Sequence, residues 1–213
     1  MSNKLNLSVT RSNLLRLREE LDFAQEGCEL LEQKREVLVM EVMNLIEKLR
    51  EWKKQAEESL RAAYRAFEEA NIVLGKEGVS RASLAIQSVE KIKVRERSIM
   101  GVAIPVVTYS RTQEPSHHQY GFQGTSPSLD RAVHLFMSVL EKLARLAEAE
   151  VSLFRLATEL KKTQRRANSL NYMFIPEYRE TIKYLENTLE EKEREEFFQL
   201  KRAKDLHENQ IKI

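Results

Sequence analysis

The sequence predicts a mainly α protein: a long antiparallel two-helix coiled coil made by the N- and C-terminal helices, with a small central head that contains a short β-hairpin. Three observations carry this expectation. Apolar residues recur at three- and four-residue steps along both flanks, far past the length of a globular helix. Of six glycines, all but Gly27 lie between Gly75 and Gly124, and three of four prolines are Pro105, Pro115 and Pro127, so the structure breakers sit in the middle. Charged residues make up 32% of the chain and aromatics 7%, which suits solvated helical surfaces better than one compact core.

Residues 1–11 read as an extended tail, and Ser12 is a candidate N-cap. The first long helix is expected over 12–74. Its apolar seam runs Leu14, Leu17, Leu21, Ala24, Cys28, Leu31, Leu38, Val42, Leu45, Leu49, Trp52, Ala56, Ala63, Ala66, Ala70 and Val73, and only Arg35 and Ser59 break the register. A helix of roughly 60 residues is about 90 Å long. A compact chain of this size has a radius of gyration of only about 17 Å, so an elongated molecule is expected. Gly75 and Gly78 are placed to end the helix.

The head is expected over 75–126. Lys91, Lys93, Arg95 and Arg97 alternate with Ile92, Val94 and Glu96, and Val102–Tyr109 is β-branched, which predicts two short strands in a hairpin. Thr112–Ser126, rich in Pro, Gly, Ser, His and Gln, reads as a loop. The second helix is expected over 127–206, with Ser126 as N-cap and Pro127 at the first position, followed by a short tail over 207–213. Its spacing picks out Leu129, Val133, Phe136, Leu140, Leu143 and Ala147. After a phase slip near Glu150 come Leu153, Ala157, Leu160 and Ala167, then a run of fours through Leu170, Phe174, Tyr178 and Ile182, then Leu185 and Leu189. Pro176 lies inside that run and is expected to kink the helix.

Several function classes are disfavoured by this pattern. A net charge of +2 is the small difference of many charges of both signs, so no nucleic-acid partner is expected. The longest apolar stretch, Ile99–Val107, is too short to span a bilayer and contains Pro105, so no direct membrane insertion is expected. Cys28 is alone and falls on the seam, which fits a buried thiol in a cytosolic protein. Trp52 is also a seam residue. His117 and His118 lack further ligands at metal-binding spacing, and there is no Gly-rich phosphate loop. No catalytic residues, cofactor or metal are expected. On physics alone the chain is a shaft or scaffold.

The ends carry more. Thr10-Arg11-Ser12-Asn13-Leu14-Leu15-Arg16-Leu17, followed by Ala24, Gly27, Leu30-Leu31 and Lys34-Arg35-Glu36, resembles the N-terminal signature of the D subunits of the V-type (vacuolar/archaeal-type) rotary ATPases and ATP synthases. Arg165-Arg166-Ala167-Asn168-Ser169-Leu170, Ile175-Pro176, Thr181-Ile182-Lys183-Tyr184, and Glu193-Arg194-Glu195-Glu196-Phe197-Phe198 with Leu200-Lys201 resemble the C-terminal signature of the same family. Met100-Gly101-Val102 and Pro105 in the middle are similar too, so the resemblance covers essentially the whole chain. Val9 departs from an expected proline, and Cys28 stands where a basic residue or His is common.

The resemblance implies a non-catalytic central rotor shaft, cytoplasmic and peripheral to the membrane. Its two termini would penetrate a ring of catalytic and regulatory nucleotide-binding chains (the A and B subunits). Its head would meet the small F subunit of the rotor and a membrane-rotor adaptor (called C or d). The shaft would couple ATP hydrolysis or synthesis in the ring to rotation and to proton or sodium transport. Position and charge nominate Arg11, Arg16, Arg18, Arg165, Arg166, Lys201, Arg202 and Lys204 as partner contacts. The alternatives are a passive coiled-coil tether, or the gamma-like shaft of the F-type enzymes.

Overall fold

The computed structural model describes residues 5, 7–85, 90–111, 120–121 and 124–211. His117 and His118, with most of the expected Thr112–Ser126 loop, lie outside the described residues. Helix α1 spans Arg11–Ala85, strands β1 and β2 span Glu90–Ile99 and Val102–Arg111, and helix α2 spans Pro127–Ser169. A five-residue π-turn, Leu170–Phe174, leads into helix α3, Ile175–Ile211. The expected mainly α architecture, with long N- and C-terminal helices and one antiparallel hairpin, is what the chain adopts. Contacts divide it into two compact units: residues 1–36 with 161–213, and residues 37–160.

In the first unit, α1 starts slightly earlier than the Ser12 cap implies. Thr10 supplies the cap, its Oγ1 accepting the Asn13 N–H at 3.3 Å while its carbonyl takes the Leu14 N–H. The two chain ends run antiparallel. Leu17 packs with Ile182 and Leu185, and Ala24 and Cys28 pack with Ile175. The segment before α1 is not a free extended tail. Leu5 and Val9 pack on the Leu17 cluster, and the Leu5 N–H donates to the Thr181 Oγ1 at 3.2 Å. Thr181, fully buried, in turn donates to the Glu177 carbonyl, so both roles of its hydroxyl are used.

The π-turn explains how Pro176 is tolerated inside a long helix. Ile175 donates its N–H to the Leu170 carbonyl, five residues back, and α3 restarts at Ile175. Pro176 is the second residue of α3, directly after the wider turn, and brings no N–H that would have to find an acceptor there. The wider turn also advances the seam by one residue. Phe174, expected on the seam, is 41% exposed, and Ile175 is buried in its place.

In the second unit, the same antiparallel pairing is built from smaller residues. Before the break at Gly75, the buried positions of α1 are Leu38, Ala56, Ala63, Ala66 and Ala70. Those of α2 are Leu129, Ala132, Val139, Ala149, Ser152 and Leu156. This corrects the expected α2 phase: Leu140 and Leu143 are 47% and 38% exposed, and Ala147 is exposed. The stripe with the smaller residues is buried, and the bulkier heptad is left outside. Phe136 fits edge-on between Tyr64 and Phe67, with ring centroids 5.5 and 6.1 Å away.

The two polar interruptions of the α1 seam have polar partners. In the first unit Arg35 donates to the Gln164 Oε1 at 3.3 Å, and in the second Lys142 donates to the Ser59 Oγ.

Gly75 breaks α1 as expected, with a φ of 72° that favours glycine, but Gly78 does not. Helix resumes to Ala85, redirected so that Val79 and Ala82 pack against Ala70 and Leu129. Val73, expected on the seam, is 64% exposed, and Leu74 takes the packing position. Tyr120 joins this cluster and hydrogen-bonds Asp130 in the first turn of α2. Burial and that bond hold its phenol well above the usual range.

The hairpin turns tightly through Met100 and Gly101, both at positive φ. Ile99 pairs with Val102, and the register runs to Glu90 opposite Arg111. The turn end is anchored: Ile104 is buried with Leu38 and Leu156, and Ile99 and Val102 pack around them.

Candidate partner-contact surface

All eight basic residues nominated from the sequence fall in the unit formed by the chain ends, and all are exposed. They play different parts there. Arg11 bridges to Glu193 at 2.6 Å and Arg18 to Glu186 at 2.5 Å, so both tie α1 to α3. The Glu193 carboxylate, by hydrogen bond and charge, raises the already high pKa of Arg11 further. Arg16 pairs with Glu20 along α1 at 2.9 Å. Arg165 and Arg166 lie at the end of α2, and Lys201, Arg202 and Lys204 lie near the end of α3. Solvated ion pairs of this kind add little to stability and exchange readily.

The apolar part of the surface was missed. From Glu190 to Lys204 every residue of α3 is exposed, and this stretch carries Phe197 (71% exposed), Phe198 (65%) and Leu200 (70%). The reason lies in the sequence. The seam ends at Leu189, and Lys192, Glu193 and Glu196 occupy the positions that would continue it. Apolar residues beyond that point face no helix of the first unit among the described residues. Helix α1 begins at Arg11, opposite Glu193, and the chain before it turns back toward Thr181, so the end of α3 runs on past its partner. The π-turn adds a second apolar patch, Tyr172, Met173 and Phe174, all exposed. Two large aromatics and a leucine exposed beside Lys201 and Arg202 form a surface suited to burial against another protein.

Cys28, by contrast, is enclosed. It is 8% exposed, its Sγ lies 3.9 Å from the Ala167 carbonyl, and burial followed by the nearby Glu32 and Glu29 carboxylates pushes its thiol above the ordinary value. Because the folded value lies above the unfolded one, the stability this thiol contributes is present below the unfolded value. It is lost as pH rises through the folded one. Alkylation of the native chain at neutral pH is expected to run at least about tenfold slower than in denaturant, a difference readable by mass spectrometry.

Among the described residues no group of three His, Cys, Asp or Glu side chains could hold a metal ion, and no helix is long and apolar enough to cross a membrane.

Long N- and C-terminal helices with one anchored hairpin and an exposed helical end define a mainly α class of protein, and comparisons with known sequences identify its family. The profile of the family described as the D subunit of ATP synthase matches residues 13–205. The D subunit of the A-type ATP synthase of Methanopyrus kandleri is 37% identical over 203 residues, 95% of this chain and 88% of the relative. The D subunit of the V-type ATP synthase of Thermotoga neapolitana is 38% identical over 201 residues, 94% of this chain and 98% of the relative. The A-type protein of Pyrococcus furiosus is 36% identical over 98% of both chains.

The chain belongs to the family of ATP synthase D subunits. It is a central-stalk component of a rotary ATP synthase complex, not a catalytic one.

Proposed function

We propose that this chain is the rotating shaft of its complex, and that the end of α3 is the part that enters the nucleotide-binding ring of A and B subunits. The observation that carries this reading is the run from Glu190 to Lys204, wholly exposed, with Phe197, Phe198 and Leu200 beside Lys201 and Arg202. A helix in water has no reason to expose such a cluster unless a partner covers it. The ring binds and turns over ATP. The shaft contributes asymmetry, so that each catalytic site meets a different face of it as it turns.

A shaft must transmit torque, and two helices in one close-packed seam resist twisting better than one. It must also slide, and the exchangeable ion pairs of Arg11, Arg16 and Arg18 suit a surface that changes neighbours. In this reading the small F subunit of the rotor and the adaptor C or d meet the head, residues 75–126, and the complex lies on the cytoplasmic face of the membrane. The divisions read from the sequence, a shaft of 12–74 with 127–206 and a head of 75–126, then correspond to a torque-bearing part and a partner-binding part.

The test is co-expression with the ring and the small rotor partner, followed by size-exclusion chromatography and ATPase assay. One copy per ring, with ATPase activity dependent on it, is the expected result. A chain that elutes apart from the ring, or joins it without changing activity, would support the passive tether instead.

A further inference from the structure

The two edges of the hairpin are treated differently. Val107 and Ala103 point their backbone groups away from β1. The Val107 N–H donates to the Glu148 Oε2 at 2.8 Å, and the Ala103 carbonyl accepts from the Arg155 Nη1 at 2.8 Å. Between them Pro105 has no N–H to expose. The outer edge of β2 is therefore closed by α2 and by proline.

The antiparallel register fixes the matching groups on β1. Val94 pairs with Val107, Glu96 with Pro105, Ser98 with Ala103 and Ile92 with Tyr109. Ile92, Val94, Glu96 and Ser98 hence direct their N–H and C=O groups outward, at the free edge. Every residue from Lys91 to Ser98 is exposed, and among the described residues no other strand pairs with this edge.

Its side chains are sorted by face. Lys91, Lys93, Arg95 and Arg97 project to one side, with no carboxylate in an ion pair with them among the described residues. Ile92 and Val94, 61% and 62% exposed, project to the other with Glu96.

We infer that the outer edge of β1 is a docking site for an extended segment of a partner protein in which acidic residues alternate with apolar ones. Such a segment adds a third strand by pairing its backbone with Ile92, Val94, Glu96 and Ser98. Its carboxylates then lie beside the four cations on one face, and its apolar side chains lie beside Ile92 and Val94 on the other. A second copy of this chain fits poorly, because β1 against β1 sets cation beside cation. Cationic edge strands also discourage indiscriminate pairing, and an alternating acidic segment is what overcomes that guard. An anionic lipid surface would satisfy the cations but has no use for a row of open amides.

The experiment uses the full-length chain and a fluorescent ten-residue peptide of alternating Glu and Val, with an alternating Lys and Val peptide and phosphatidylserine vesicles as comparisons. The Glu peptide is expected to bind with a Kd on the order of 10–100 µM, weaken with added salt, and protect the Ile92, Val94, Glu96 and Ser98 amides from hydrogen exchange. Val94→Pro removes one outward N–H without touching a ladder bond, and should weaken binding at least about tenfold. Lys93→Glu with Arg95→Glu should transfer the preference to the Lys peptide. Equal binding of both peptides, protection elsewhere, no effect of the Lys93/Arg95 pair, or binding to vesicles but not to the Glu peptide would each overturn the inference.

Discussion

Replacing Phe197, Phe198 and Leu200 together with alanine should cut the ATPase activity or ion transport of the assembled complex by about tenfold or more. The isolated chain should keep its helix content and melting temperature. Both halves follow from the same fact. The three side chains are 65–71% exposed and join no core cluster among the described residues, so truncation costs the fold little. If the end of α3 bears on the ring, they supply most of the apolar area it has to bury there. Circular dichroism and the coupled assay check the two halves separately. Reversing Lys201 and Arg202 should act in the same direction but more weakly, since exposed charges steer more than they anchor. Reversing Arg11 and Arg18 is a poorer probe of the ring, because each also breaks a bridge to α3. A triple variant with unchanged coupling would leave the stalk assignment standing and remove the end of α3 as its bearing.

The second large effect concerns stability, and it separates the two heptad phases that α2 carries. Leu156→Ala should cost about 3–4 kcal/mol, because Leu156 is fully buried where the hairpin, α1 and α2 meet at Ile104 and Leu38. Val139→Ala should cost about 1–2 kcal/mol even though it removes little. Leu140→Ala, a larger truncation one residue away, should cost less than about 1 kcal/mol, since Leu140 stays 47% exposed. Urea melts of the three variants rank them directly. An order in which Leu140→Ala costs more than Val139→Ala would restore the phase read from the sequence.

That pair of residues also marks how far the sequence could be read. The α1 seam was legible almost to the residue: Leu17, Ala24, Cys28, Leu38, Ala56, Ala63, Ala66 and Ala70 are all buried. There the apolar positions form a single stripe, and periodicity has one solution. In α2 two stripes compete. Hydrophobicity favours the one with Leu140 and Leu143. Fit to an alanine-lined partner favours the one with Ala132, Val139, Ala149 and Ser152. Periodicity in one helix carries no information about the shape of the other, so the choice could not be made without both.

The π-turn was hidden for a similar reason. Pro176 announces that a hydrogen bond is missing, but several local geometries absorb one missing donor, and only one advances the seam to Ile175. The hairpin was readable from the alternation of charge along β1 and the β-branched run of β2. The asymmetry of its edges was not, because it depends on Glu148 and Arg155 from a distant helix.

The candidate surface divides along the same line. Its cations were named from charge and position near the ends. Its aromatics stood in the sequence only as part of a family signature. Their meaning depends on where α1 stops, and the sequence places that only to within a turn. With α1 starting opposite Glu193 and Leu5 bonded back to Thr181, Phe197 and Phe198 stay 71% and 65% exposed.

The most direct test of the central claim is to watch the chain turn. In a complex immobilised through its ring, a bead attached to an exposed residue of β1, such as Ser98, reports the orientation of this chain under ATP. Unidirectional, stepwise rotation that stops when ATP is withdrawn is the expected record. A bead that stays fixed relative to the ring while ATP is consumed would contradict the shaft account and leave a static tether.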